Sequence, residues 1–203
     1  MNDSLHATAT FDEAHAPSPF GGSWTKVMMW LFIVSDALTF AAFLSVYGLL
    51  RILSVEWPEA SQIFDLRLIT VMTFALISSS AVMAMAVGTS QSGNMRAAVR
   101  LVLLTSVGGL IFLGLQAYEW THFIGEGATP WTNPWGVPAF GASFFLITGF
   151  HGAHVLSGVI VLLATALGVK SGRYGANSIE IAGLYWHFVD VVWVFVFAFF
   201  YLL

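Results

Sequence analysis

The sequence predicts an all-α integral membrane bundle with five transmembrane helices, and three observations predict it. Of 203 residues, 58% are hydrophobic and only 9% charged, with a mean hydropathy of +0.82, whereas an ordinary soluble domain carries roughly 25% charged residues. The apolar residues run in long uninterrupted segments, not in the stripes of a helix with one face in water. Five of those segments reach about 20 residues, the length that crosses roughly 30 Å of hydrocarbon at 1.5 Å per residue.

Residues 1–23 read as a polar, solvated tail with Pro17 and Pro19 and no Lys or Arg before Lys26. A secretory signal needs a basic start and a short apolar run, and the first apolar run here follows Lys26 and is too long. Residues 24–203 form the membrane domain. Its spans are expected over residues 27–50, 68–87, 99–118, 139–169 and 181–203. The second carries a small face of Ala75, residues 78–81, Ala84 and Ala86, and the fourth carries Gly141, Gly149, Gly152 and Gly158, both patterns that let helices approach closely in a membrane. The fourth is long enough to tilt or to project beyond the bilayer. Gln116 and Glu119 fall at the outer end of the third span, where Glu119 reads as interfacial. The following loop, residues 119–138, has no basic residue but holds Trp120, Trp131, Trp135 and three prolines. It suits the headgroup level, where an indole is partly buried with its N–H satisfied, or a docking surface for another subunit.

Lys26, Arg96, Arg100, Lys170 and Arg173 fall on the side of the N-terminus and Arg51 and Arg67 on the other, a five-to-two split. By the positive-inside rule the N-terminus is expected in the cytoplasm and, after an odd number of spans, the C-terminus on the outer, periplasmic side. A net charge of −4 without a basic patch argues against nucleic acid as a partner. The absence of cysteine excludes disulfides, thiolate copper centres, iron–sulfur clusters and haem attached through Cys. No internal repeat stands out, which weakens a transporter reading.

Ionisable groups within a span mark function by default. Asp36 lies about ten residues into the first span, roughly 15 Å deep, with Ser35 and Thr39 as the polar neighbours in its own helix. An ionised acid at that depth needs a cation or several donors beside it. It reads either as a carboxyl hydrogen-bonded to a neighbouring helix, with Ser78, Ser79 and Ser80 as candidate donors, or as a proton-relay group. His151 and His154 stand at i and i+3 in the fourth span, and His187 and Asp190 in the fifth. That spacing suits a metal site, with copper or zinc as the candidate ions, or a polar network satisfied across the helix interface. Only three histidines fall within the membrane, and two haems with a copper would need about twice as many.

The string GASFFLITGFHGAHV at residues 141–155 and the string YWHFVDVVW at residues 185–193 closely resemble the two most distinctive segments of cytochrome c oxidase subunit III, in its five-helix bacterial form. Supporting segments fall in order: residues 30–47 with a Ser-acid pair, residues 76–86 with their serines, LQAYE at residues 115–119, and Glu180 before the last helix. The resemblance implies a non-redox subunit of a proton-pumping haem-copper terminal oxidase in aerobic respiration, in a bacterial inner membrane. It implies direct packing on subunit I, with subunit II, small subunits or a respiratory supercomplex as further partners. It also implies no cofactor in this chain, haem and copper in partner subunits, bound phospholipid between helix groups, and support of proton uptake. Asp36 matches the family's intramembrane carboxylate, often Glu, and is the proton-related candidate. Glu119, His151, His154, Glu180, His187 and Asp190 are carried over as structural or lipid-cleft residues, with no catalytic and no metal role. The wording of residues 185–188 leans towards the cytochrome c branch, with a quinol oxidase as the alternative. The rivals from other classes are a stand-alone metalloenzyme built on His151, His154, His187 and Asp190 and a small proton-coupled transporter using Asp36.

Overall fold

Each of the five apolar runs forms one helix, and each helix outruns its apolar core because the capping residues lie outside it. A computed structural model describes residues 23–202, apart from the side chain of Ser61. The expected tail, save Ser23, lies outside the described residues, as does Leu203. Helix α1 spans Trp24–Leu53 and starts at Ser23, whose hydroxyl accepts from the Lys26 amide at 3.3 Å. A single turn, α2, covers Ala60–Ile63 and is too short to give a periodic signal in the sequence. Helix α3 spans Leu66–Gln91 behind the cap of Asp65, and α4 spans Met95–Gly125 behind the cap of Asn94. Both cap oxygens take an N–H of the first turn, which would otherwise be orphaned. Helix α5 spans Pro138–Lys170 with proline opening its first turn. Helix α6 spans Ala176–Phe197 and widens into a π-helical turn over Ala198–Leu202.

All five long helices have the length and composition to cross a bilayer. At 33 residues, α5 is about 50 Å long, longer than about 30 Å of hydrocarbon requires. The turns joining α3 to α4 and α5 to α6 reverse through Gly93 and Gly172, at φ 86° and 74°, values that would strain any residue with a Cβ.

Helices α3, α4, α5 and α6 pack in that order around a shared core, and α6 closes the ring against α3. Helix α1 stands outside it, resting on α5 and α6, and turns Leu31, Val34, Leu38 and Ile52 outward. In hydrocarbon that apolar surface is satisfied by lipid. The glycines do bring helices together: a Cβ on Gly109 of α4 would sit 2.4 Å from the Trp186 ring of α6, and one on Gly152 of α5 would sit 2.7 Å from Gln116 Oε1 of α4.

One end of the bundle is sealed by aromatic rings. Phe64, just after α2, stacks on Phe123 of α4 at 5.1 Å and meets Tyr201 edge-on at 4.5 Å, while Trp57 meets Tyr47 and Phe140. This corrects the expected tryptophan loop in part. Trp120 lies in α4, which runs on to Gly125, and its indole donates to Thr148 Oγ1 at 3.2 Å. Trp135 packs on Phe123 and Phe140, and Trp131 is the exposed one.

Candidate functional site

The ionisable groups of the spans turn inward, towards other helices. Asp36 of α1 is buried, with Oδ2 3.2 Å from Nε2 of His154 on α5. The serines of α3 are therefore not its partners, because α1 packs on α5 and α6. Nδ1 of His154 lies 2.8 Å from the carbonyl oxygen of Phe150, and since a carbonyl only accepts, Nδ1 carries a hydrogen. Asp36 and His154 thus face one another as a close polar pair bridging α1 and α5, with no formed hydrogen bond to Oδ2. Phe40, one turn on from Asp36, covers the pair, with its ring centre 5.4 Å from that of His154.

The serines of α3 serve α6 instead. Ser80 Oγ and His187 Nδ1 share a hydrogen bond of 2.6 Å, and Asp190 lies beside both. Trp186 donates its indole N–H to Ser79 Oγ at 3.1 Å, and Trp193 donates to Thr73 Oγ1 at 3.0 Å. A ladder of hydroxyls on α3 thus meets one face of α6, the interhelical hydrogen bonding expected where water is absent.

His151 does not join a hydrogen-bond network: neither ring nitrogen has a hydrogen-bond partner, and Oδ1 of Asp190 also lacks one. Its fully buried ring stacks on Trp193 at 5.2 Å and 30° and takes the edge of Phe112 at 5.5 Å. The polar work between α4 and α5 falls to Gln116, whose Nε2 donates to the Thr148 carbonyl at 2.7 Å, and to the Trp120 indole on Thr148 Oγ1.

Glu119 is enclosed by the bundle. It is 4% exposed and accepts from the Tyr201 hydroxyl at 3.1 Å, because α4 continues a further turn and a half past it and the π-helical turn brings Tyr201 inward. Glu180 takes an ion pair with Lys26 at 2.6 Å, both side chains about a third exposed. It ties the start of α1 to the start of α6. Tyr201, and the partnerships of Ser80 with His187 and of Lys26 with Glu180, carry no signal within their own spans, since each matters through the helix it meets.

For a metal, the four residues of the metalloenzyme rival would have to converge. His154 faces Asp36 on α1, His187 faces Ser80 on α3, and His151 faces aromatic rings. Among the described residues no three His, Asp or Glu side chains gather at one point.

The comparisons with known proteins concern this whole arrangement. A family model described as cytochrome c oxidase subunit III matches residues 3–203. Similar relatives are named probable quinol oxidase subunit 3: the Staphylococcus epidermidis protein is 33% identical over 183 residues, the Staphylococcus haemolyticus protein 32% and the Staphylococcus aureus protein 31%, each match covering 87% of both chains. The two strings at residues 141–155 and 185–193 supply the helix contacts of α5 and α6 described above, and the family match spans both of them, so the chain belongs to the cytochrome c oxidase subunit III family.

Proposed function

We propose that the chain works as the non-redox third subunit of a haem-copper terminal oxidase that draws electrons from a quinol, in a bacterial cell membrane. The printed names of its relatives support quinol as the donor over cytochrome c, towards which residues 185–188 lean. One observation carries the non-redox role: the membrane-embedded histidines are spent on helix contacts, His154 on Asp36, His187 on Ser80 and His151 on Trp193. In this reading the subunit braces subunit I through helix packing and bound phospholipid, with haem and copper held by subunits I and II. The pair of Asp36 and His154 keeps a proton within reach of the cytoplasmic uptake surface, to which the five-to-two charge split assigns the N-terminal end.

The test is purification through a tag on this chain, followed by the optical spectrum and oxygen uptake of what comes with it. Haem absorbance with uptake driven by a reduced quinol is expected. Uptake driven by reduced cytochrome c alone would overturn the choice of donor. A chain that purifies alone and without haem would overturn the whole reading.

A further inference from the structure

A groove of about 260 Å³ runs between α4 and α5 on the outside of the bundle, where Ala117, Ala153 and Leu156 are exposed. Its α4 side is Leu113, Gln116, Ala117 and Trp120. Its α5 side is Gly149, Gly152, Ala153 and Leu156. Each set has the spacing i, i+3, i+4, i+7, one face of a helix over two turns, so the groove is a straight trough about 10 Å long at 1.5 Å per residue. Trp120 lies over Gly149 at one end and Gln116 over Gly152 in the middle.

Gln116 brings an unpartnered polar atom into this trough although the residue is only 6% exposed. Since a carbonyl only accepts, the amide nitrogen is the atom that faces the Thr148 carbonyl at 2.7 Å, and Oε1 points away from it. Oε1 lies 2.7 Å from where a Cβ on Gly152 would stand, and no donor reaches it among the described residues. The donors nearby are spent, Trp120 Nε1 on Thr148 Oγ1 and that hydroxyl on the Phe144 carbonyl. Hydrocarbon offers no replacement for them.

We propose that the trough seats one transmembrane helix of another oxidase subunit, and that a Ser, Thr, Asn or Trp side chain of that helix donates to Oε1 of Gln116. Three features fit a helix. The trough is straight, its floor of alanine and glycine lets a second backbone come close, and its acceptor stands at mid-length, where one interhelical hydrogen bond fixes the register. An acyl chain would cover the same walls and donate nothing. The groove between α1 and α6 differs on both counts: Phe40, Phe188 and Phe195 crowd it, and its polar side chain, Ser45, already donates to the Ala41 carbonyl at 2.7 Å. The proposal rests on the chain working within a multi-subunit oxidase and names the face by which it is held there.

The test replaces Leu156, at the rim of the trough, by photoreactive benzoylphenylalanine in the tagged chain. The oxidase is irradiated in its membrane and purified through the tag, and the cross-linked peptides are mapped. A cross-link to a transmembrane segment of another subunit is expected, with a Ser, Thr, Asn or Trp within one turn of the joined residue. Ala153→Phe fills the trough from an exposed position and leaves the Gln116 bond to Thr148 in place, so it should lower the cross-linked fraction by about tenfold through overpacking. Leu38→Phe, on the outer face of α1, should leave it unchanged. Gln116→Leu also breaks the bond to Thr148 and is therefore not the deciding variant. Adducts with lipid alone, a cross-link to a second copy of this chain, a joined segment without a donor, or an Ala153→Phe chain cross-linked like the native one each overturn the proposal. Haem absorbance of the same sample reads the oxidase assignment separately: adducts with lipid alone in a haem-containing complex sink the trough, whereas a chain without haem sinks both.

Discussion

Replacing Asp36 by Asn removes the carboxyl that faces His154 between α1 and α5 while leaving a donor in the same place. His154 keeps its Nδ1 hydrogen on the Phe150 carbonyl, 2.8 Å away, so Nε2 of the neutral ring accepts, and it faces position 36 at 3.2 Å. The introduced amide has the length of the native carboxyl and can donate to that nitrogen. One neutral hydrogen bond then spans the contact, and the stability of the assembled oxidase should stay within about 1 kcal/mol of native. Asp36→Ala leaves Nε2 buried without a partner and should cost about 1 to 3 kcal/mol. Thermal melting of the purified complex separates the two variants. The functional assay is oxygen uptake with proton uptake, followed over repeated turnovers. Asp36→Asn should start near the native rate and lose activity faster, because assembly is intact and the proposed proton site is gone. If Asp36→Asn melted as low as Asp36→Ala, the deduced donor and acceptor roles would be wrong. If it matched the native enzyme in rate and in persistence, Asp36 would have no proton role.

Two further outcomes follow from single contacts. Tyr201→Phe removes the hydroxyl that Glu119 accepts from at 3.1 Å and should lower stability by about 1 to 3 kcal/mol; in the Glu119→Gln background the same change should cost less, and strict additivity in the melting data would show the two groups to be uncoupled. Gly109→Ala places a methyl 2.4 Å from the Trp186 ring and should destabilise by about 1 to 3 kcal/mol through overpacking, with a change in tryptophan fluorescence; a native melting point would show that α4 and α6 have slack to separate.

The five spans are legible in the sequence because hydrocarbon imposes a length and a composition that a single segment must meet by itself. Their ends are not, since caps such as Asn94 and polar extensions such as the last turn of α4 lie beyond the apolar run. That difference moves Trp120 from a loop to a helix and leaves Glu119 enclosed by its neighbours. Partner choice is less legible still. Sequence order pairs Asp36 with Ser78, Ser79 and Ser80 on the next span in the chain, a reasonable prior when neighbours in sequence pack together. The bundle breaks that prior: α1 rests on α5 and α6, so an acid on the first helix meets a histidine on the fourth span. Which helix faces which is set by the sum of many apolar contacts, and no single residue announces it.

The paired histidines of α5 show how far a spacing argument carries. Three residues along an α-helix turn about 300°, which places His151 and His154 on one side but about 60° apart. Here that offset decides everything. His154 points to α1 and meets an acid, whereas His151 points into the ring of α3 to α6 and lies against Trp193 and Phe112. Phe40 of α1 touches both rings, at 5.4 Å and 6.3 Å, and so stands between the Asp36–His154 pair and the core. A motif that reads as two equivalent ligands thus becomes two unlike groups, one facing an acid at the edge of the bundle and one filling its centre. The same offset thus gives α5 a polar contact with α1 and an aromatic contact with α6 and α4.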